Sequence, residues 1–156
     1  MRLRRRSWLI AAACAGPFAL AAPSADSDDQ ALNADADYAA GLAALKARDL
    51  QAALARFQAA LKRFPDSADL HNELGFTFRQ LGRFEPAFEH YRRALAIDPR
   101  HRSAHEYIGE AYLLVGDVAS AEKHLAALRS ICTLPCEEML DLQQAIEAHR
   151  RKAPVH

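Results

Sequence analysis

The sequence predicts an all-α fold, a short array of helical repeats closed by one further helix. Three observations carry this. Landmarks recur at a fixed period: Gly41, Gly75 and Gly109 stand 34 residues apart, as do Ala53, Ala87 and Ala121, and Phe57, Tyr91 and Leu125. Such a period marks helix pairs stacked into a solenoid. Alanine dominates a chain that is 51% apolar, and alanine loses least on entering a helix. Between the turn signals, apolar and small residues recur at helical spacing. The 156 residues suit one domain with a modest continuous core.

Residues 1–21 read as an export signal. Arg2, Arg4, Arg5 and Arg6 form a basic start, Trp8–Leu20 is an apolar run broken by Gly16-Pro17, and Ala19-Leu20-Ala21 offers a small-residue cleavage site. The run is shorter than the roughly 20 apolar residues of a spanning helix, so no stable membrane insertion is expected after cleavage. An uncleaved anchor is the alternative. Arg5-Arg6-Ser7-Trp8-Leu9 resembles a twin-arginine signal, with Arg4 where Ser or Thr is usual, and the ordinary secretory route stays open. Cys14 follows Ala11-Ala12-Ala13 without the leucine a lipidation site wants three residues earlier. Removing the signal leaves 16 basic against 20 acidic residues, a net charge of about −4. No basic patch with interleaved aromatics remains, so nucleic acid is not an expected partner. Residues 22–33 are polar and acidic and are expected to form a flexible leader.

The first unit spans 34–67. Its first helix runs over 35–47 with Ala40, Gly41 and Ala44 inward, Arg48-Asp49 turns the chain, and a second helix over 50–63 points Ala53, Phe57, Ala60 and Leu61 inward. Phe64-Pro65-Asp66-Ser67 ends it, because proline cannot continue a helix and restrains the residue before it. Ser67 or Asp66 can cap the next helix. The second unit, 68–101, has helices over 68–81 (Leu70, Leu74, Gly75 and Phe78 inward) and 84–97, joined at Leu81-Gly82-Arg83. Pro86 falls in the first turn, where its missing N–H does no harm. The third, 102–135, has helices over 102–115 (Ile108, Gly109 and Tyr112 inward) and 118–131, joined at Gly116-Asp117. Glycine and alanine at each crossing allow close approach, and Phe57, Tyr91 and Leu125 are expected to fill the space beside them. A final helix over 136–150 caps the stack through Leu140, Leu142, Ala145 and Ile146, and 151–156 is expected to be a disordered tail.

These residues resemble the tetratricopeptide repeat over 34–135. The middle unit carries the pattern best, in Leu74-Gly75, Phe78, Ala87, Tyr91, Ala94 and Pro99; the outer units depart from it at Ala44, at Leu128 and in a closing proline displaced to Pro135. The resemblance implies a right-handed superhelix whose concave face, lined by the first helix of each unit, binds a peptide or another protein. By the same resemblance that face presents Tyr38, Leu42 and Leu45, then Asn72, Phe76 and Arg79, then Glu106, Glu110 and Leu113. One subgroup of the family grips acidic peptide termini with basic residues on this face. Glu106 and Glu110 stand where those would be needed, so the groove suits a segment with apolar anchors and a basic residue instead.

Cys132 and Cys136 flank Thr133-Leu134-Pro135 at a turn, near enough for a bond. A structural disulfide is the default in an oxidising compartment. A redox pair, a soft-metal site helped by Glu137, Glu138 or Met139, and free thiols are the alternatives. His101 and His105, with Glu106, invite a divalent ion, but His71 holds the place of His105 one unit earlier, so a repeated packing role is the simpler reading. No nucleophile–base pattern, phosphate loop or metalloprotease motif appears. The expected function is a non-enzymatic interaction module without cofactor, exported to the bacterial periplasm and holding a protein or peptide partner. A metallochaperone or thiol-redox protein acting through Cys132 and Cys136, and a self-associating assembly protein, are the other readings.

Overall fold

A computed structural model describes residues 30–152; the expected signal, cleavage site and most of the leader lie outside the described residues, as does 153–156. Seven helices that lie wholly among the described residues follow in order: α1 (Ala36–Lys46), α2 (Leu50–Leu61), α3 (Ala68–Gln80), α4 (Phe84–Ile97), α5 (Arg102–Leu114), α6 (Val118–Ile131) and α7 (Glu137–Lys152). No strand occurs among the described residues. The helices pack as the consecutive pairs α1–α2, α3–α4 and α5–α6, and each pair stacks on the next. Their starts are fixed locally. The carboxylates of Asp35, Asp49 and Asp117, the Ser67 hydroxyl and the His101 ring each accept from a backbone N–H of the first turn. Two turns within pairs are closed by glycine at positive φ, Gly82 at 71° and Gly116 at 83°; in the first unit Arg48 takes that place at 60°.

Residues 30–33, expected to belong to the flexible leader, are instead helical, and Leu32 is 1% exposed against the first unit. An apolar residue at that point covers the open end of the stack, which the polar composition of 22–33 concealed. At the other end α7 continues through Arg151 and Lys152.

Close approach at the helix crossings is severe in the first two units. A Cβ on Gly41 would lie 2.4 Å from the Phe57 ring, and one on Gly75 would lie 2.6 Å from the Tyr91 ring. In the third unit the expectation fails. A Cβ on Gly109 would meet Leu142 of α7 at 2.7 Å. A leucine at 125 lacks the reach of the aromatic rings, and α7 supplies the missing side chain. Leu74, Ile108 and Leu142 stand 34 residues apart and are all buried. The seventh helix thus keeps the repeat register and occupies the place of the first helix of a fourth unit. Cys132 and Cys136 are joined in a disulfide with Cα atoms 6.0 Å apart, tethering the start of α7 to the end of α6.

A histidine pair recurs on the side of each crossing. His71 and His90 approach at 2.9 Å between Nδ1 atoms, as do His105 and His124. His71 Nε2 reaches the Pro65 carbonyl at 3.0 Å and His105 Nε2 the Pro99 carbonyl at 3.1 Å. A carbonyl only accepts, so His71 and His105 carry the proton on Nε2 and offer Nδ1 as acceptor. His90 and His124 donate. Each donor ring also stacks on an aromatic, Phe78 or Tyr112. The repeated packing role expected of His71 and His105 is what the structure displays, and their partners 19 residues on complete it. His101 is engaged elsewhere, with Nε2 2.9 Å from Asp69 and Nδ1 accepting from the Ala104 N–H.

Two outcomes are expected. Leu142→Ala removes the side chain that covers Gly109 and should cost about 3 kcal/mol, as large-to-small core changes do; chemical denaturation with unchanged secondary structure in the native baseline checks it. Burial, and then the partner ring, hold His90 and His124 at about 4. Their contribution to stability is therefore full above the ordinary value of 6.5 and is lost as pH falls toward about 4. Thermal melts across that window should show the His90→Asn/His124→Asn protein losing less on acidification than the wild type.

Candidate functional site

The first helix of each pair, α1, α3 and α5, together with α7, presents a common register. Tyr38, Asn72, Glu106 and Leu140 share one position at 34-residue spacing, and Leu42, Phe76 and Glu110 share the next turn. Sequence reasoning placed this face on α1, α3 and α5; α7 extends it, and Leu140 stands half-exposed there.

The middle of the face is organised by Arg79. Its guanidinium lies 5.3 Å from the centroid of the Phe76 ring and 5.5 Å from that of Tyr107. The two rings are themselves 5.2 Å apart. Arg79 reaches Glu110 at 2.8 Å, with the arginine side chain only 10% exposed. A guanidinium held between rings and a carboxylate is fixed in position rather than free to swing. Arg79 and Glu110 therefore neutralise each other.

Other polar groups are left over. Glu106 is 9% exposed, and no hydrogen bond or ion pair holds it among the described residues. Burial, reinforced by Glu110, Asp141 and Glu138, pushes its carboxyl up to about 7, against a smaller opposing pull from Arg79. Glu73 is likewise pushed up to about 7 by burial and then by Asp69, with His101 and the Asn72 amide opposing. Three buried atoms have no partner among the described residues: Asn72 Oδ1, Arg79 Nε and the Tyr91 hydroxyl. Tyr91 lies near Arg79 without hydrogen-bond geometry, and burial raises its phenol. Burial also raises Tyr107, to about 12. Buried polar atoms without partners are uncommon in native proteins; these three lie below the surface, on α3 and α4.

Not all of the expected groove residues reach it. Tyr38 is buried, its ring 5.9 Å from Phe57, and belongs to the core of the first unit. Leu113 is buried with Leu125, Leu128 and Leu142. Both are inward because the terminal units must cover themselves: Tyr38 fills space beside the small residues of α1, and Leu113 meets α7. Leu45 packs partly on the core, while Leu42 is 40% exposed. Asn72 is buried, Phe76 and Arg79 are half-buried, Glu106 is buried, and Glu110 is ion-paired. Glu73, Tyr107 and Asp141 were not expected on this face, and Leu140, expected to seal the end of the stack with Leu142 and Ile146, is instead half-exposed because it points away from the side of α7 that packs on α5. The 34-residue register would have found Leu140, but burial of Glu73 depends on tertiary packing that spacing does not encode.

A model of the Tetratricopeptide repeat family matches residues 38–101 and 78–132. Protein CTR9 homolog of Arabidopsis thaliana is 32% identical over 84 residues, 54% of this chain; the chain spans 8% of the length of that relative. Among solved structures, the TPR2B domain of yeast Sti1 in complex with pHsp70 superposes with a TM-score of 0.69 at 18% identity, covering 81% of this chain and 99% of that one. The first TPR of Spaghetti (RPAP3), bound to the HSP90 peptide SRMEEVD, gives a TM-score of 0.62 at 17% identity, covering 69% of this chain and 86% of that one. At these identities the two structures share the fold with this chain.

Keeping Glu106 buried costs stability as pH rises. A carboxyl raised in the folded state destabilises from its ordinary value near 4.5 upward, fully so above about 7. Glu106→Gln should therefore stabilise the protein near pH 8, by on the order of 1 kcal/mol once solvent screening at the rim is allowed for, and so raise its melting temperature there, while leaving it unchanged near pH 4.5. Paired thermal melts at the two pH values decide.

Proposed function

The chain belongs to the tetratricopeptide repeat family, and we propose that it is a non-enzymatic interaction module that holds a segment of a partner protein against its concave face. The observation that carries this reading is the half-buried Phe76–Tyr107 ring pair beside Glu106, a carboxylate that no ion pair compensates among the described residues. Aromatic surface next to an uncompensated carboxylate is what an incoming chain can cover and satisfy. Two solved relatives in fold are complexes by their own titles, one with pHsp70 and one with an HSP90 peptide. The acidic peptide of the second would meet Glu106 and Glu110 here, so a partner of that charge is not the reading for this chain.

The module is proposed to act in an oxidising, exported setting, the bacterial periplasm. The basic and apolar start of the sequence and the bonded Cys132–Cys136 pair support this. Among the described residues no helix is long and apolar enough to cross a membrane. With Cys132 and Cys136 in the bridge, neither offers a thiolate for metal uptake, which favours the interaction reading over a metallochaperone acting through that pair.

Phe76→Ala should weaken capture of the partner at least tenfold while leaving the circular dichroism spectrum and melting cooperativity intact. The measurement is affinity isolation from periplasmic extract followed by titration of the recovered protein. Capture at full strength by the Phe76→Ala protein would remove the concave face from the reading.

A further inference from the structure

The carboxylates of the concave face are unevenly compensated. Glu110 has Arg79 at 2.8 Å, and Glu138 has Arg102 at 3.5 Å. Glu106 and Asp141 have no cation within ion-pair distance among the described residues. They belong to different helices, α5 and α7, and Asp141 is among the charges that act on Glu106. Glu106 is 9% exposed and unpartnered among the described residues, an acceptor that wants an N–H. Leu140, half-exposed, stands at the same register position on α7. The Phe76–Tyr107 ring pair offers apolar surface on the other side.

An anionic seat with acceptors only, bounded by aromatic and aliphatic surface, selects a donor-rich cation on an apolar chain. We propose that the partner segment carries a lysine or arginine whose cation sits between Glu106 and Asp141, with apolar neighbours against Phe76, Tyr107 and Leu140. This rests on the interaction reading above and names the chemistry of its partner. Arg79 does not compete for the seat, since Glu110 and the two rings hold it. It instead keeps the face from being uniformly negative, so the seat is local and sets the register of the bound segment.

The seat has a sign in pH. Glu106 must be ionised to receive the cation, and it stands at about 7 in the free protein. The charged groups that bear on it are Glu110 on its own helix, Arg79 from α3, and Glu138 and Asp141 from α7. From α6, His124 meets His105, and the two rings are hydrogen-bonded to each other. Affinity for the basic segment should therefore fall about tenfold between pH 8 and pH 6 as the carboxyl takes its proton.

The test is panning of the full chain, signal removed, against a phage-displayed random peptide library near pH 8. Synthetic copies of the enriched peptides are then titrated by fluorescence anisotropy. Expected is a shared lysine or arginine flanked by apolar residues. Glu106→Gln should weaken such a peptide at least tenfold and flatten its pH dependence, while Glu89→Gln on α4 leaves it unchanged. Replacing the basic residue of the peptide with norleucine should match the loss in Glu106→Gln. Enriched peptides without a basic residue would overturn the seat and leave the interaction module standing. So would basic peptides indifferent to Glu106→Gln. Failure of any peptide to enrich would overturn both.

Discussion

The approach of two helices over a glycine is the contact on which this structure depends. At Gly41 and Gly75 the partner ring lies where a Cβ would be, so no side chain larger than hydrogen is possible without moving Phe57 or Tyr91. Both rings are completely buried. The crossing sets the separation within each pair, and the pair separation sets where the first helices lie along the concave face. Positions 72 and 106 can share a wall because Gly75 and Gly109 sit under them on the same two helices. The same crossing brings His71 to His90 in the second unit, and the His105–His124 pair repeats the contact in the third, where Leu142 covers the glycine instead.

The third unit shows what happens when that contact is weakened. Leu125 cannot cover Gly109, and an uncovered crossing would leave a void in a core that otherwise has none of its large side chains exposed at the glycines. Leu142 closes it from the next helix. This makes α7 part of the last crossing as well as a lid over it. The Cys132–Cys136 bridge, by shortening the unfolded chain's options at the α6–α7 turn, contributes on the order of 2 kcal/mol in the loop-entropy picture. The tether holds in place the one helix without a second helix of its own, and that helix supplies Asp141 and Leu140 to the groove.

Most of the architecture was legible from periodicity, because a repeat writes the same packing rule three times and the copies check one another. Helix bounds over 84–97 and 118–131 agree with α4 and α6 as observed. What periodicity misjudged lies at the ends, where the rule has no neighbour to act on. Tyr38 and Leu113 hold groove positions in register but turn into the core, since α1 and the α5–α7 contact must bury surface that a further unit would otherwise cover. Leu32 was hidden in a polar stretch for the same reason. Within the groove, the acidic character of Glu106 and Glu110 could be read from spacing, but their unequal states could not. Arg79 is one turn from Phe76 in sequence, and only the folded pair of α3 and α5 brings it to Glu110 and leaves Glu106 alone.

That inequality bears on why the face is built as it is. Had stability alone been selected, Glu106 would be glutamine or an apolar residue, since a buried carboxyl raised to about 7 opposes folding above its ordinary value. The histidine pairs oppose folding on the acid side, because His90 and His124 resist protonation down to about 4. The two effects bracket the protein from both directions. On the alkaline side the cost falls at the position where a cation would relieve it, and a bound lysine or arginine would restore what the empty seat gives up. On the acid side nothing comparable is on offer, because the histidines already satisfy each other and the carbonyls of Pro65 and Pro99. An uncompensated electrostatic cost at Glu106, beside the half-buried Phe76 and Tyr107, is what the proposed binding role would account for and a merely solvated surface would not.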